Sequence, residues 1–404
     1  MATTPPRVYN SAMSATLDID KLKADVIKKV DSQRGKLVAL SHRIHDNPET
    51  GFHEVKASKW LCAYLEANDF KIERGICKLP TAFRATYGSG KPTIAIMAEY
   101  DALPQIGHAC GHNIICTAAL GAAVAAKLAV DKYGGTVSVI GTPAEEMFGG
   151  KAVMAERGAF KDIDIAMIVH PSSHDLSSAL ALACITLEVE FFGKAAHAAA
   201  RPEEGINALE ALILSFNGIN SLRQHIRESA RIHGIITKGG DAPNVVPDHT
   251  AGTFLVRSVD EVYLEELKVK VLNCFQAAAL ATGAQLKYAW KEYYAPLRAN
   301  TTLAGIMAAN MRAVGRDPQP IPERASGSSD MGNVSVLVPA IHPEVAIAAP
   351  KTSLHSAEFR AAAVSAKGDR GLIDGAKALA LTVVDLLANP KTVAAIRKEF
   401  LAAK

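Results

Sequence analysis

Apolar positions recur at helical spacing over residues 17–45 and again over 54–68, which predicts two helices behind a loose tail of about 15 residues. Short runs at 71–76 and 82–87 follow as strands, and then Thr93-Ile-Ala-Ile-Met-Ala-Glu-Tyr-Asp101 reads as a buried strand. A helix of small residues begins near Ile114, and further strands are expected at 136–142 and 163–170 with helical segments between them. Strands that alternate with helices in this way predict an α/β unit, a mostly parallel sheet covered by helices on both faces.

Near residue 181 the pattern changes. Residues 183–192 alternate like a half-exposed strand, 207–226 are helical, 231–238 and 250–258 are strand-like, 262–282 are helical and 285–293 are strand-like again. That β-α-β-β-α-β order predicts a compact α+β sheet with two helices on one face. Helical patterning resumes over 302–315 and from about 361 to the end. The small unit is therefore expected as an insertion, with a large domain at 1–183 and 299–404 and the insert at 184–298.

Composition narrows the class. The 404 residues suffice for two domains. The 44 basic and 41 acidic side chains leave a formal charge of only +3, so neither nucleic acid nor an anionic membrane is required as a partner. Six cysteines are scattered without framework spacing, so no disulfide scaffold is expected, and Cys62 and Cys274 read as core residues. The start lacks a basic segment followed by an apolar one, and the stretch 114–130 is short and only weakly apolar for a membrane span. The expectation is a cytoplasmic protein.

Candidate chemistry begins at His108-Ala-Cys-Gly-His112. If the backbone is extended there, Cys110, His112 and His108 all point to one side and the first two can reach one metal ion. The segment follows a buried strand, where open α/β sheets place ligands. Glu145-Glu146 follows the next strand; Pro143 and Gly149-Gly150 supply a turn that lets both carboxylates face one site, one for metal and one for a proton. A solvated acidic helix start is the other reading of that pair. His170 closes a strand, where it is either a ligand or a capped core residue, and His355 precedes the last helices. Together these donors suit zinc or a similar divalent ion, and five of them exceed the needs of one tetrahedral ion.

Eight segments then carry a specific resemblance. They are His45-Asp-Asn-Pro-Glu-Thr-Gly-Phe-His-Glu54, Ala98-Glu-Tyr-Asp-Ala-Leu-Pro104, Gly107-His-Ala-Cys-Gly-His-Asn113, Gly141-Thr-Pro-Ala-Glu-Glu146, Gly193-Lys-Ala-Ala-His197, Asn244-Val-Val-Pro247, Gly327-Ser-Ser-Asp-Met-Gly332 and Ser353-Leu-His355. In this order they resemble the metal-dependent amidohydrolases and peptidases of the aminoacylase and carboxypeptidase type, in the branch of aminobenzoyl-glutamate hydrolases and β-alanyl-lysine dipeptidase-like proteins. The resemblance spans about residues 40–358.

That resemblance implies two divalent ions, zinc first and manganese as the alternative, held by Cys110, His112, Glu146, His170 and His355 with Cys110 bridging. It implies Glu145 as general base, Asp101 as the group orienting a metal-binding neighbour, and the inserted domain as a dimerisation or lid domain. His197 would enter the active site of a neighbouring subunit of a homodimer and stabilise the oxyanion. Asn244, Arg257, Gly327 and Ser328 would line the substrate site, with Arg257 suited to a substrate carboxylate. Many relatives carry a His where this chain has Glu99, which leaves one nitrogen ligand fewer and more of the coordination to Cys110 and His112. His108 is expected to supply a supporting hydrogen bond rather than ligation. The expected reaction is metal-assisted hydrolysis of N-acyl or N-aroyl amino acids or small dipeptides. The rivals are a noncatalytic metal-binding scaffold and a thiol hydrolase using Cys110; a structural zinc module on Cys110 and Cys116 lacks a second cysteine pair.

Overall fold

The structure, a computed structural model, describes residues 8–403. Helices α1 (Val8–His45) and α2 (Val55–Glu66) come first. Strands β1 (Lys71–Arg74), β2 (Phe83–Ser89) and β3 (Thr93–Ala98) lead to helix α3 (His112–Tyr133) and strand β4 (Gly135–Gly141). Two short helices, α4 (Glu145–Phe148) and α5 (Gly150–Glu156), precede strands β5 (Ile165–Met167) and β6 (His170–Ser172). The helix α1 begins at Val8, inside the stretch expected as a tail; residues 1–7 lie outside the described residues.

Next come β7 (Ala183–Phe192), α6 (Ala208–Leu222), β8 (Arg231–Lys238), β9 (His249–Ser258), α7 (Glu261–Thr282) and β10 (Gln285–Tyr294). The chain ends with α8 (Thr301–Ala313), α9 (Met331–Ser335), β11 (Ala340–Ile341), β12 (Glu344–Ala346), α10 (Ala357–Ala362), α11 (Ala366–Ala388) and α12 (Pro390–Ala402). It forms two compact units: 1–180 with 298–324 and 333–404, and 181–297 with 325–332. The piece 325–332 thus belongs with the smaller unit, whereas the expected boundaries placed it in the large domain at 299–404.

In the larger unit a six-stranded sheet runs β1-β2-β4-β3-β5-β11. The pairs β3–β4, β3–β5 and β5–β11 are parallel, and β1 and β2 are added antiparallel at one side. Every residue of β3 and β4 is buried, which is why those stretches are apolar without alternation. The strand expected over 163–170 breaks after Met167, and His170 restarts a separate two-stranded ladder with β12.

Helix α3 lies against α1 and α11, and its Ala and Gly residues permit that closeness: a Cβ on Gly121 would come within 2.7 Å of Leu37 Cδ1. By length and composition α3 could cross a membrane, but 89% of its apolar window is buried in the protein, as befits a core helix. Side-chain caps start several helices, including Asn300 on α8 and Ser365 on α11, each worth about 1 kcal/mol.

The smaller unit is an antiparallel sheet in the order β10-β7-β9-β8, with α6 and α7 packed on it. Along β9 buried and half-buried residues alternate strictly, the period of a sheet with one covered face. Its own core contains Phe191, Leu212, Phe254, Leu264 and Phe275.

Candidate metal centre and its relatives

The carboxyl ends of β3, β4 and β5 deliver the reactive residues of the larger unit. The segment 108–112 is not extended. Gly111 takes φ 79° and serves as the N-cap of α3, so His112 is the first residue of a helix rather than the second of a strand pair. Only glycine fits there, because a Cβ would meet Pro171 Cγ at 2.5 Å. The turn brings Cys110 and His112 together and leaves His108 out. His108 stacks on His45 at 6.1 Å, is buried, and has no hydrogen-bond partner on either ring nitrogen among the described residues. Burial, with His112 and His45 nearby, pushes its pKa down to about 3, so it is a neutral ring.

His112 has an asymmetric environment. Its Nδ1 lies 3.0 Å from Asp101 Oδ1, whereas Nε2 is buried and meets no hydrogen-bond partner among the described residues. Glu99 Oε2 and Glu146 Oε1 stand 3.6 and 3.7 Å from that bare nitrogen. Burial alone would raise the pKa of Asp101, but His112 and the Glu146 backbone N–H hold it at about 2. Asp101 therefore stays charged and fixes the ring, the usual arrangement behind a metal-binding histidine.

Glu145 and Glu146 owe their positions to Ala144, which adopts φ 60° and ψ 45° ahead of α4. A non-glycine residue in that region is strained and is commonly retained at functional sites. The backbone N–H of Glu146 donates to Asp101 Oδ2 at 3.0 Å, tying the two strand ends together. Burial opposes ionisation of Glu146, but the hydrogen bond from His355 together with the charges of His112 and His355 outweighs it and lowers the pKa. His355 also has positive φ, 61°, and its Nε2 lies 3.3 Å from Glu146 Oε2.

His170 Nδ1 donates to Pro171 O at 2.7 Å, which leaves Nε2 facing Cys110 Sγ at 3.4 Å. Burial, reinforced by the neighbouring His342, lowers its pKa to about 4. Burial and the negative Glu146 push the Cys110 thiol well up. Donor atoms of Cys110, His112 and His170 lie within 4.8 Å of one another, and so do those of Cys110, Glu146 and His355. Cys110 is common to both sets. The residues thus fit a pair of divalent ions: the His170 ring is neutral, one buried nitrogen of His112 is bare, and the thiol is the group an ion would deprotonate outright.

The remaining expected residues belong to the smaller unit. His197 is exposed, and its Nδ1 accepts from the Ala199 and Ala200 backbone N–H groups at 3.3 and 3.2 Å. Asn244 accepts from the Ala198 N–H through its carbonyl at 3.0 Å. Arg257 donates to Ser328 Oγ at 3.1 Å, beside Gly327 with its φ of 64°. Arg257 Nε is buried without a hydrogen-bond partner among the described residues.

Two residues near the centre are not distinguished by sequence alone. Lys151 on α5 is fully buried, with Nζ 2.6 Å from Glu99 Oε1. Nothing in its local sequence separates it from a surface lysine. Glu54 lies in one of the resembling segments, but its type and spacing suggest no role. Its Oε1 accepts from the Ala144 and Phe52 N–H groups, each at 2.9 Å, and its Oε2 from Thr81 Oγ1 at 2.9 Å, so it braces the strained turn.

Burial, aided by Asp101, raises the pKa of Glu54 from 4.5 to about 7. Between those values the folded state keeps a proton that the unfolded chain has released. Stability is therefore expected to fall as pH rises through this window, by up to roughly 3 kcal/mol. Glu54→Gln should flatten that slope in thermal melts from about pH 4.5 to 7. An unchanged slope would mean that Glu54 titrates normally.

The sequence and the fold have relatives. Peptidase family M20/M25/M40 matches residues 95–363. An Xaa-Arg dipeptidase of Mus musculus is 34% identical over 99% of this chain and 97% of its own length. One of the p-aminobenzoyl-glutamate hydrolase polypeptides of Escherichia coli is 35% identical over 69% of this chain and 62% of its own. Among solved structures, an aminohydrolase from methicillin-resistant Staphylococcus aureus superposes with a TM-score of 0.74 at 21% identity, covering 90% of this chain and all of that one. A dinuclear metal-binding M20 peptidase of Bacillus subtilis gives 0.67 at 19% identity, over 88% of this chain and 99% of its own. On this footing the chain belongs to peptidase family M20/M25/M40.

Proposed function

We propose that this chain is a metal-dependent amidohydrolase that cleaves N-acyl or N-aroyl amino acids or small dipeptides at a centre built by Cys110, His112, Glu146, His170 and His355. The observation that carries the reading is the buried, bare Nε2 of His112, with Asp101 behind the ring and thiol, carboxylate and imidazole donors in front. Two divalent ions would polarise the amide carbonyl and make water nucleophilic at neutral pH. A thiolate with imidazoles favours zinc, and the carboxylates admit manganese.

Glu145 takes the proton of the attacking water and returns it to the leaving amine nitrogen as the C–N bond breaks. His197 of a neighbouring subunit donates to the developing oxyanion. In the smaller unit, acting as dimerisation or lid domain, Arg257 with Asn244, Gly327 and Ser328 receives the substrate carboxylate; the buried unpaired Nε supports this, since that nitrogen awaits an acceptor. The homodimer is supported by the edge strand β8, which exposes Ile235 and Ile236 beside an open row of backbone groups. Six free cysteines agree with a reducing cytoplasm. The high pKa of Cys110 speaks against a thiol hydrolase, whose nucleophile must ionise.

The deciding assay is amine release from N-acyl amino acids, aminobenzoyl-glutamate, β-alanyl dipeptides and Xaa-Arg dipeptides, with and without a chelator. Hydrolysis that chelation stops and zinc or manganese restores is expected. Activity that survives chelation but not thiol alkylation would transfer the chemistry to Cys110. Bound metal with no turnover across the panel would favour the noncatalytic scaffold.

A further inference from the structure

The buried pair Glu99–Lys151 has no part in the proposed mechanism, although it sits against its centre. Glu99 is 1% exposed and Lys151 is 0% exposed. Burying an ion pair gains little stability, because desolvation offsets the attraction, so such a pair needs another reason to be there. Lys151 Nζ holds Glu99 Oε1 at 2.6 Å, while Oε2 accepts no hydrogen bond among the described residues. That second oxygen stands 3.6 Å from the bare Nε2 of His112, at least as near as Glu146 Oε1 at 3.7 Å. Two donors about 2.0–2.2 Å from one tetrahedral ion lie roughly 3.3–3.6 Å apart, so the spacing is that of ligands sharing an ion. Glu99 also brings an oxygen within 4.8 Å of one from Glu145.

We propose, resting on the dinuclear metallohydrolase reading, that Glu99 Oε2 is a further ligand of the metal centre and that Lys151 is the positioning residue that aims it. Lys151 fixes one carboxylate oxygen so that the other faces His112.

The test measures metal content and affinity by chelator competition on the full chain, for wild type, Glu99→Gln and the double variant Glu99→Gln/Lys151→Met. The double variant removes the unpaired ammonium if a lone buried lysine prevents the single variant from folding. Both are expected to lose at least about tenfold in affinity for one ion. In the cobalt-substituted protein their visible bands should change while the near-ultraviolet charge-transfer band of Cys110 persists. Wild-type affinity and an unchanged cobalt spectrum in both variants would reduce Glu99–Lys151 to a structural ion pair and leave the metallohydrolase reading intact. A wild-type protein that binds no divalent ion would overturn that reading itself, and this proposal with it.

Discussion

Glu145→Gln is expected to lower kcat by about 10²- to 10⁴-fold or more while both metal ions remain bound. The substitution preserves the shape of the side chain and the backbone of α4, which depends on the turn at Ala144 rather than on the Glu145 carboxylate. It removes only the capacity to take and return a proton. Glu146, one residue on, keeps its contacts with Asp101 through the backbone and with His355 through the side chain. Metal content by elemental analysis and turnover under saturating substrate separate the two effects. Near-normal kcat with full metal occupancy would remove Glu145 as the base.

His197→Ala is expected to cost about 10²- to 10³-fold in kcat, the usual loss for one oxyanion donor, with metal content unchanged. The two backbone N–H groups that Nδ1 accepts place the ring proton on Nε2, which is therefore the donor. The shared-site arrangement has a sharper test in mixed dimers. A heterodimer of Glu145→Gln and His197→Ala subunits has one site with both defects and one with neither, if His197 acts across subunits. Random mixing of the two inactive proteins should then recover up to about a quarter of wild-type activity in a two-fold dimer. If His197 acts within its own chain, every site keeps one defect and nothing is recovered.

The element order was legible because period and burial agree along most of the chain. The expected 183–192 and 231–238 strands match β7 and β8, and the helix over 262–282 differs from α7 by one residue. Strong alternation and long helical runs carry their own evidence. Positions governed by single backbone angles do not. Nothing in Cys110-Gly-His112 distinguishes an extended segment from a helix start, and the expectation of His108, Cys110 and His112 on one side fails at Gly111. The turn credited to Pro143 and Gly149-Gly150 takes its left-handed step at Ala144, a residue with no intrinsic preference for it. That step is imposed from outside, by Glu54 some 90 positions away accepting its N–H.

By itself the sequence determined the α/β class, the inserted β-α-β-β-α-β unit, the family resemblance and the identities of the candidate donors, because apolar period and motif order are properties of neighbouring residues. Only the tertiary structure decided which of those donors meet, that His108 is excluded, and that Lys151 and Glu99 form a buried pair beside His112. The reason is physical: such contacts arise where parallel strands end side by side, and the burial and charge felt there come from residues far apart in the chain. No local pattern encodes that.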